Sequence, residues 1–418
     1  MFRVVARGAA APSRLLPESS HARCARLVAL ACTLSSPASL ISRAAFDAAK
    51  AAAVEQRWEH RLPVDEFLRR GGLVGPSAGS GAAVPILDVR APCEYAKGHV
   101  PGAISVPLFD DDERAEVGTL YKKAGHDSAV RRGLQIVERK GWDELLSGVP
   151  ALCEGDEVLV YCFRGGMRSG GMAHLLSKAP LRVHTLDGGY KGFRNWAIDQ
   201  WERDRNLVVV GGPTGSGKTD VLLALREALG RQVIDLEGDA HHRGSIFGAL
   251  GRPAQPTNEH FENVLALQWA GFDEVSPVFI EDESHAVGKC GVPPGLWARM
   301  RDERTPVLRL DVPRDARVEK LVSEYGVFPP ADLAGCVRGL VKRLGHKHVD
   351  QLCGWLEESP PKLAAVAEYL LTNYYDDMYL YQASKRPSIG HTVACESGDA
   401  HDNARRLLAA FCEHVHAS

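Results

Sequence analysis

The chain has 418 residues, of which 45% are hydrophobic, 25% charged and 7% aromatic, and its formal net charge is −3. This composition excludes a collagen, a mucin, a coiled coil and a wholly disordered chain. The length suffices for two hydrophobic cores. Because the charges nearly balance, no global basic field indicates nucleic acid, and any such contact must come from local patches.

Residues 1–45 differ in composition from the rest of the chain. They hold six arginines, no lysine and one acid, among many alanines and serines. This is typical of an organellar transit peptide, so we predict an N-terminal extension over residues 1–60 and a mitochondrial or chloroplast location, or otherwise a cytoplasmic one. A secretory signal with its apolar run at residues 27–32 and a disordered extension without an address are the alternatives.

The remaining compartment signals are weak but consistent. The ten cysteines include no C-x-x-C pair, which favours a reducing compartment over a disulfide framework or a zinc site. No run approaches 18 consecutive apolar residues, so no membrane-spanning helix is predicted.

A first α/β domain is predicted over residues 61–203. Residues 84–90 have the pattern of a buried strand, preceded by a Gly- and Ala-rich stretch over residues 74–85 that predicts an inserted surface loop. A second strand, residues 158–161, runs directly into Cys162. A glycine pair and an apolar helical pattern follow it.

The loop after Cys162 predicts an anion cradle. Gly165 and Gly166 let backbone N–H groups crowd around one anion at the start of a helix. Those amides, together with Arg164 and Arg168, favour a thiolate at Cys162. Such a cysteine is a nucleophile that can also carry a sulfur or selenium atom as a terminal anion. An inert buried cysteine is the alternative, which this context disfavours.

The loop and two further motifs resemble a rhodanese domain: Asp88-Val89-Arg90 and the segments 98–103 (GHVPGA) and 186–190 (LDGGY). Cys162 and Arg168 are also spaced as in cysteine-dependent phosphatases, Cys-x5-Arg, and the cradle alone does not separate the two chemistries. Tyr161 stands where tyrosine phosphatases have histidine, which favours chalcogen transfer.

A second α/β domain, residues 204–345, is predicted to begin with a phosphate-binding loop. A strand over residues 206–210 leads into GPTGSGKT at residues 212–219, a full P-loop match in its strand–loop–helix setting. We expect its amides to wrap a diphosphate, Lys218 to reach the terminal oxygens and Thr219 to contact Mg²⁺. The predicted diphosphate-binding residues are Gly212, Gly215, Ser216, Gly217, Lys218 and Thr219.

Polar clusters follow two further strands of this domain. Residues 233–236 lead to the cluster 237–245, and residues 277–280 end in Glu281-Asp282-Glu283-Ser284. Acids at strand ends beside a P-loop occupy the place where an NTPase holds magnesium, although solvated loops are the alternative. The candidates for phosphate contacts, or for supporting the residues that make them, are Asp239, His241, His242, Arg243, Glu281 and Asp282.

The order of the two domains, with the segments 236–245 and 280–284, closely resembles the tRNA 2-selenouridine synthase family, and the agreement spans about residues 85–386. The resemblance implies a transferase that replaces the sulfur of wobble 2-thiouridine in tRNA with selenium from selenophosphate, through an S-geranylated intermediate made from geranyl diphosphate. It implies that Cys162 is the selenation cysteine. No tightly bound cofactor is expected, apart from Mg²⁺ at Thr219.

Geranyl transfer would require a charge clamp on the departing diphosphate. Lys218, Thr219 and Arg243 are the candidates for this clamp. His241 and His242 are candidates for proton transfer or phosphate binding, with a structural role as the equal alternative. The apolar groove for the geranyl chain is not located by the sequence.

Residues 346–418 are predicted to form a helical C-terminal region that could bind RNA. The neighbouring stretch 338–348 carries four positive charges and no acid, which indicates a phosphate-tracking surface or a solvated helix face. Four tyrosines could stack an anticodon-loop base, although core packing is favoured for them: Tyr374, Tyr375, Tyr379 and Tyr381.

Two other classes of protein remain open at this stage. The first is a rhodanese-type sulfurtransferase, or a Cys-x5-Arg phosphatase, fused to a P-loop NTPase. The second is a non-catalytic regulator that binds tRNA. Residues 1–60, the stretch 74–85 and the tail after residue 386 have no counterpart in the family pattern.

Overall fold

The computed structural model describes residues 61–75, 83–141, 155–176, 181–386 and 390–417, together with Leu145 and Val149. The described residues divide into two compact units, the first made of 61–71, 83–92 and 103–190 and the second of 72–75, 93–102 and 191–417. The predicted transit peptide and residues 76–82 of the predicted surface loop lie outside the described residues. Within the described part, no helix is long and apolar enough to cross a membrane.

The first unit is built on a five-stranded parallel sheet with the order β1-β5-β4-β2-β3. The observed β4 confirms the strand predicted before Cys162, whereas β2 is shorter than the predicted strand over 84–90. The strands are β1 (Arg61–Leu62), β2 (Ile86–Asp88), β3 (Ile104–Ser105), β4 (Glu157–Tyr161) and β5 (Arg182–Leu186).

Helices pack beside this sheet because its central strands are apolar on both faces. Val158, Leu159 and Val160 of β4 are fully buried. In chain order, the helices up to residue 199 are α1 (Val64–Arg70), α2 (Pro92–Lys97), α3 (Asp111–Ala124), α4 (His126–Lys140), α5 (Met167–Leu176) and α6 (Gly189–Asp199).

The second unit contains another five-stranded parallel sheet, with the order β12-β11-β6-β8-β7, and an antiparallel β9-β10 pair. Two parallel-sheet α/β domains are therefore confirmed. The strands are β6 (Leu207–Gly211), β7 (Gln232–Ile234), β8 (Val278–Glu281), β9 (Ala286–Val287), β10 (Cys290–Gly291), β11 (Val307–Asp311) and β12 (Gly390–Ala394).

Both faces of the second sheet are covered by helices, with Val209 and Ile280 in one core and Val208 and Phe279 in the other. The helices are α7 (Lys218–Glu227), α8 (Leu236–Asp239), α9 (Asn258–Gly271), α10 (Pro294–Met300), α11 (Arg314–Tyr325), α12 (Pro330–Arg338), α13 (Val341–Leu344), α14 (His346–Glu357), α15 (Leu363–Leu370), α16 (Asp376–Ser384) and α17 (Ala400–Ala417).

The chain after residue 345 is helical, as predicted, but it also contributes a strand that the sequence did not predict. Strand β12 pairs in parallel with β11 along its whole length, from Gly390 to Ala394. Its pattern was too short and too polar to identify, because only Val393 of the five residues is fully buried. A separate helical cluster from α11 to α16 has its own core around Leu352 and Leu370, and residues 371–375 form a π-helical turn.

Candidate active site

Cys162 lies at the carboxyl end of β4, the central strand of the first sheet, and is buried. The Gly166 amide donates to its Sγ at 3.3 Å, and the Ser169 hydroxyl lies 3.2 Å from the same sulfur. Ser169 belongs to the first turns of α5, so the sulfur faces the start of a helix. The Gly166 amide stabilises negative charge on the sulfur or on an atom bound to it, whereas the Ser169 hydroxyl donates to the Gly166 carbonyl at 3.1 Å.

Two glycines with positive φ let this loop close tightly. A Cβ on Gly165, at φ +62°, would lie 2.6 Å from the Leu186 carbonyl oxygen. One on Gly189, at φ +58°, would lie 2.3 Å from the carbonyl oxygen of Cys162. The Tyr190 amide donates to that same oxygen at 2.8 Å. The turn at the start of α6 therefore packs directly against the cysteine loop. No residue larger than glycine fits at position 165 or at position 189.

The basic residues predicted to favour a thiolate are placed differently from one another. Arg164 is exposed, with its guanidinium 5.9 Å from the centre of the Phe163 ring, whereas Arg168 is half-buried in the first turn of α5. Their electrostatic role stays a prediction. The sequence missed Arg61, whose Nη2 donates to the Gly165 carbonyl at 2.7 Å and thereby holds the loop.

The Asp-Val-Arg motif forms a buried scaffold beside the cysteine loop. Arg90 makes a bidentate ion pair with Asp88 at 3.0 and 2.6 Å, and its guanidinium lies 3.8 Å from the centre of the Tyr190 ring. The Tyr161 hydroxyl donates to Asp88 at 2.7 Å. Tyr161, the residue before the cysteine, therefore links β4 to β2 through this hydrogen bond.

The P-loop connects β6, the central strand of the second sheet, to α7. A Cβ on Gly212, at φ +149°, would lie 2.6 Å from the buried Ser216 hydroxyl, and one on Gly215, at φ +80°, would lie 3.1 Å from a carbonyl of α11. Gly217, at φ +73°, caps α7. Lys218 Nζ donates to the Gly212 carbonyl at 3.0 Å, so the ammonium lies over the loop. This is the arrangement of a diphosphate cradle.

A buried arginine from outside the motif supports the P-loop. Arg317 on α11 donates from Nη1 to the Thr214 carbonyl at 3.1 Å. The same guanidinium makes two bonds of 2.8 and 2.9 Å to Asp376 at the start of α16. Asp376 thus fixes the direction of Arg317, which in turn fixes the loop.

Carboxylates meet the hydroxyl of the P-loop threonine. Thr219 Oγ1 lies 2.7 Å from Glu281 Oε1 at the end of β8 and 2.9 Å from Glu237 Oε2. The Glu237 amide also donates to Glu281 at 3.1 Å. Because one hydroxyl proton cannot be donated to both acids, a second proton on one carboxyl completes this arrangement.

The electrostatics agree with a shared proton. Burial, with the charge of Glu283 next, raises the pKa of Glu237 to about 7. Burial and then the charge of Glu237 raise the pKa of Glu281 well above its ordinary value, and burial also raises that of Glu283. Within the described ranges, no group of three or more His, Cys, Asp or Glu side chains is arranged to hold a metal ion. Magnesium at Thr219 stays a prediction.

Two of the further candidates are bound to neighbouring loops and helices. Asp239 Oδ2 accepts from Gln268 Nε2 of α9 at 2.8 Å, and burial raises the Asp239 pKa to about 6. His241 has φ +51°, and its Nδ1 lies 3.0 Å from the Ala254 carbonyl. These contacts give both residues a structural part, and a contact with phosphate stays a prediction.

The structure places two more candidates, His242 and Arg243, against other parts of the same unit. Burial lowers the pKa of His242, whose ring lies where a Cβ on Gly248 would be 2.7 Å away. Arg243 lies with Nε 2.5 Å from Glu324 and donates to the Leu250 carbonyl at 2.8 Å. The proposed clamp role of Arg243 therefore requires it to leave these partners, and it remains a prediction.

An apolar cavity of about 70 Å³ begins at the P-loop residue Thr214 and extends among the helices α11 to α15. Apolar side chains dominate its wall, and no charged side chain lines it. The lining residues are Thr214, Ser245, Phe247, Leu321, Val322, Tyr325, Gly326, Leu333, Leu356, Leu363, Val366, Ala367, Leu370 and Tyr375.

The tyrosines of the C-terminal part are divided between core and surface. Tyr375 is buried, Tyr374 and Tyr379 are half-buried, and Tyr381 is 62% exposed, with Lys385 Nζ 4.1 Å from its ring centre. The four cationic side chains of the stretch 338–348 are all exposed: Arg338, Lys342, Arg343 and Lys347.

The fold and the two loops define a chain with a rhodanese-like domain and a P-loop domain in sequence. The family model described as a Rhodanese-like domain matches residues 77–195, and the one described as the tRNA 2-selenouridine synthase AAA domain matches residues 205–402. The chain belongs to the tRNA 2-selenouridine synthase family.

Curated relatives are similar over most of their length. A tRNA 2-selenouridine synthase of Shewanella pealeana is 34% identical over 72% of this chain and 89% of its own, and one of Bordetella bronchiseptica is 37% identical over 71% and 88%. One of Aeromonas salmonicida is 35% identical over 77% and 95%. A solved N-terminal domain of a Clostridium difficile protein is 36% identical over 32% of this chain and 96% of its own, but its TM-score of 0.28 supports no argument.

Proposed function

We propose that the protein is a tRNA-modifying transferase that converts wobble 2-thiouridine to 2-selenouridine, with selenophosphate and geranyl diphosphate as donors. The observation that carries this proposal is the presence of two distinct anion cradles in a chain of this family. One cradle surrounds the sulfur of Cys162, and the other is the P-loop over residues 212–219. Both donors are anionic, so each has a cradle of suitable chemistry.

The Cys162 loop is the site of selenium chemistry in this proposal. The Gly166 amide points at the sulfur, and the same loop would hold the anionic selenophosphate. Its selenium, already at the oxidation level of the product, would bond to C2 of the geranylated base while geranyl thiolate leaves, and hydrolysis of the P–Se bond would release phosphate. The P-loop offers no comparable nucleophile, so the two steps are divided between the loops.

The P-loop holds the diphosphate of the prenyl donor. In geranyl transfer the thiouridine sulfur forms a bond to the first geranyl carbon, and the C–O bond to diphosphate breaks. The departing diphosphate takes the electron pair, so positive charge and amide donors at its oxygens lower the barrier. Lys218 and the start of α7 supply both. Thr219 and Glu281 would hold magnesium beside the diphosphate, and the ion would add positive charge there, because Mg²⁺ prefers one or two carboxylates together with phosphates.

The apolar cavity beside Thr214 is the place for the geranyl chain. Thr214 belongs to both the P-loop and the cavity wall. A geranyl chain whose diphosphate lies in the P-loop can therefore enter the cavity directly. At about 70 Å³ the cavity has space for roughly five water molecules. The lining helices would therefore separate to admit the whole chain.

The tRNA surface is the exposed basic stretch over residues 338–348, supported by Tyr381 and Lys385. The stretch presents four exposed cations and no acid of its own, with Glu357 3.8 Å from Arg338, and such a surface attracts a phosphate backbone. Tyr381 offers an exposed ring on which a base can stack, and Lys385 beside it adds positive charge.

The cavity is tested by filling it. Ala367→Phe on α15 places a ring in the cavity, and Lys218→Ala removes the ammonium from the loop. We expect Ala367→Phe to weaken geranyl diphosphate binding at least tenfold and to leave inorganic diphosphate binding unchanged. Lys218→Ala should weaken both, because a point charge on the phosphates has no neutral substitute. Isothermal titration calorimetry measures both ligands.

Ala364→Phe is the matched control, since Ala364 is exposed on the same helix and does not line the cavity. It should bind both ligands as the wild type does. If the wild type and a folded Ala367→Phe variant bound geranyl diphosphate with equal affinity, the geranyl chain would bind outside this cavity. Unchanged affinity in Lys218→Ala would remove the P-loop from the prenyl reaction.

A further inference from the structure

A group of arginines lies beside the P-loop, at the carboxyl edge of the second sheet. A Cβ on Gly211, the last residue of β6, would lie 3.3 Å from Arg309 Cγ, 3.3 Å from the Tyr379 hydroxyl and 3.4 Å from Asp282 Oδ2. Arg386 joins them, donating from Nη2 to Asp282 Oδ1 at 2.5 Å. The absence of a side chain at Gly211 lets these groups meet.

A third arginine completes the group. Arg301, at the end of α10, lies with Nη1 3.3 Å from Asp282 and donates from Nη2 to the Glu283 carbonyl at 2.6 Å. The guanidinium groups of Arg301 and Arg386 therefore contact the Asp282 carboxylate, and Arg309 lies beside them at Gly211. Burial also raises the pKa of Glu283, the next acid along the chain.

Several donors of this group are buried without an acceptor. The Arg386 side chain is 3% exposed, and that of Asp282 is 12% exposed. Within the ranges that the structure describes, no hydrogen-bond partner exists for Nε and Nη1 of Arg386, or for Nε of Arg301 and Arg309. Burial lowers the pKa of Arg386 to about 10, so it is still charged at neutral pH. Buried donors of this kind are costly unless an acceptor satisfies them, and Asp282 is the carboxylate that Arg301 and Arg386 share.

The group is closely packed on one side and reaches solvent on the other. Gly390 at the start of β12 has no side chain where the Arg309 guanidinium lies, since a Cβ there would be 2.5 Å from Cζ. The Arg301 side chain is 28% exposed, and it lines a surface groove together with Asp302, Glu303 and Arg304. Arg301 therefore connects the group to solvent.

We propose that Arg301, Arg309, Arg386 and Tyr379 form a second oxyanion site, which binds one phosphate group beside the P-loop. Guanidinium forks and a phenol hydroxyl match the oxygens of a tetrahedral oxyanion. The site is separate from the diphosphate cradle, because neither Lys218 nor Thr219 belongs to it. The phosphate is either a free one or one of an RNA strand, and the site does not depend on the proposed function of the protein.

The test measures inorganic phosphate binding to the full chain by calorimetry, with the P-loop saturated by inorganic diphosphate. We expect one further phosphate to bind the wild type. Arg309→Gln and Arg386→Lys should each weaken this binding at least tenfold, because the first loses the charge and the second loses the fork. Arg304→Gln is the matched control and should change nothing, since Arg304 is 90% exposed and pairs with Asp302.

A gain of binding separates the proposal from a folding defect. Asp282→Asn removes the carboxylate that competes with the phosphate, so we expect it to bind phosphate several-fold more tightly than the wild type. Phosphate affinity that stays the same in folded Arg309→Gln and Arg386→Lys would overturn the site. So would a wild type that binds no phosphate beyond the diphosphate of the P-loop.

The two sources of phosphate are distinguished by the salt dependence of tRNA binding. An RNA phosphate in the site predicts that Arg309→Gln lowers the slope of log K against log salt by about 0.7–0.9. A free phosphate predicts an unchanged slope and no competition between inorganic phosphate and tRNA. Whichever slope is found, the proposed site requires that Arg309→Gln also weakens the binding of inorganic phosphate.

Discussion

At the scale of single residues, Cys162 and Lys218 lie at the two ends of corresponding loops in two different sheets. Cys162 directly follows β4, the central strand of the first sheet, and Lys218 begins the helix that follows the loop after β6, the central strand of the second. This is where parallel sheets bind ligands, because the carboxyl ends of neighbouring strands leave a crevice there. A nucleophile at one crevice and a cation at the other give the chain two different chemistries.

The acids beside Thr219 predict a pH-dependent stability. Folding raises the pKa of Glu237 from about 4.5 to about 7, so its protonated form stabilises the protein fully below pH 4.5, and this contribution is lost as the pH rises through 7. The side chain in the Glu237→Gln variant is neutral at every pH, so the variant does not lose this contribution to stability as the pH rises. Relative to the wild type, we expect the variant to gain roughly 1–3 kcal/mol between pH 5 and pH 8.

Thermal unfolding of both proteins at the two pH values measures this difference. Glu274→Gln is the control, because Glu274 is 82% exposed and should show no such gap. A Glu237→Gln variant whose melting temperature follows that of the wild type at both pH values would show that Glu237 is ionised throughout.

The residues that sequence reasoning found, and those that it missed, differ in how they reach the site. Cys162 and Lys218 lie inside short motifs whose glycines fix the local backbone, so a pattern of a few residues suffices. Arg61 and Arg317 reach the loops from positions 104 and 103 residues away in the chain. No local pattern marks such a contact, because tertiary folding creates it.

At the scale of elements, α11 and α16 hold the P-loop through one ion pair. Arg317 is 5% exposed, so removing the charge of its partner leaves a buried cation without compensation. We expect Asp376→Asn to weaken inorganic diphosphate binding about tenfold and to destabilise the second unit by about 3–5 kcal/mol. Calorimetric titration at a temperature where the variant is folded gives the affinity, and thermal unfolding gives the stability.

Asp377→Asn provides the comparison, since Asp377 is exposed one residue further along the same helix. It should retain both affinity and stability. If Asp376→Asn lost stability but bound diphosphate as the wild type does, Arg317 would support the fold and not the loop.

The elements also show where patterns fail. The strands β4, β6 and β8 were predicted within a residue or two because they are apolar and buried. Strand β12 was missed, because an edge strand with a single fully buried residue carries no such signal. The apolar cavity could not be predicted either, since its wall combines residues from several helices and the P-loop.

At the scale of the whole molecule, we propose one reaction step for each cradle. In this proposal the selenium step belongs to Cys162 in the rhodanese-like unit, and geranyl transfer belongs to the P-loop unit. A sulfurtransferase or Cys-x5-Arg phosphatase fused to an NTPase would instead turn over thiosulfate or an aryl phosphate without tRNA.

The most direct test of this division is mass analysis of the wobble nucleoside after incubation with 2-thiouridine tRNA, geranyl diphosphate and selenophosphate, with each donor omitted in turn. The wild type should yield a geranylthio product and then a seleno product. Cys162→Ser should stop at the geranylthio product, because the Cys162 loop is the proposed site of the selenium step. No modification by the wild type, or equal loss of both products in a folded Cys162→Ser variant, would contradict the account.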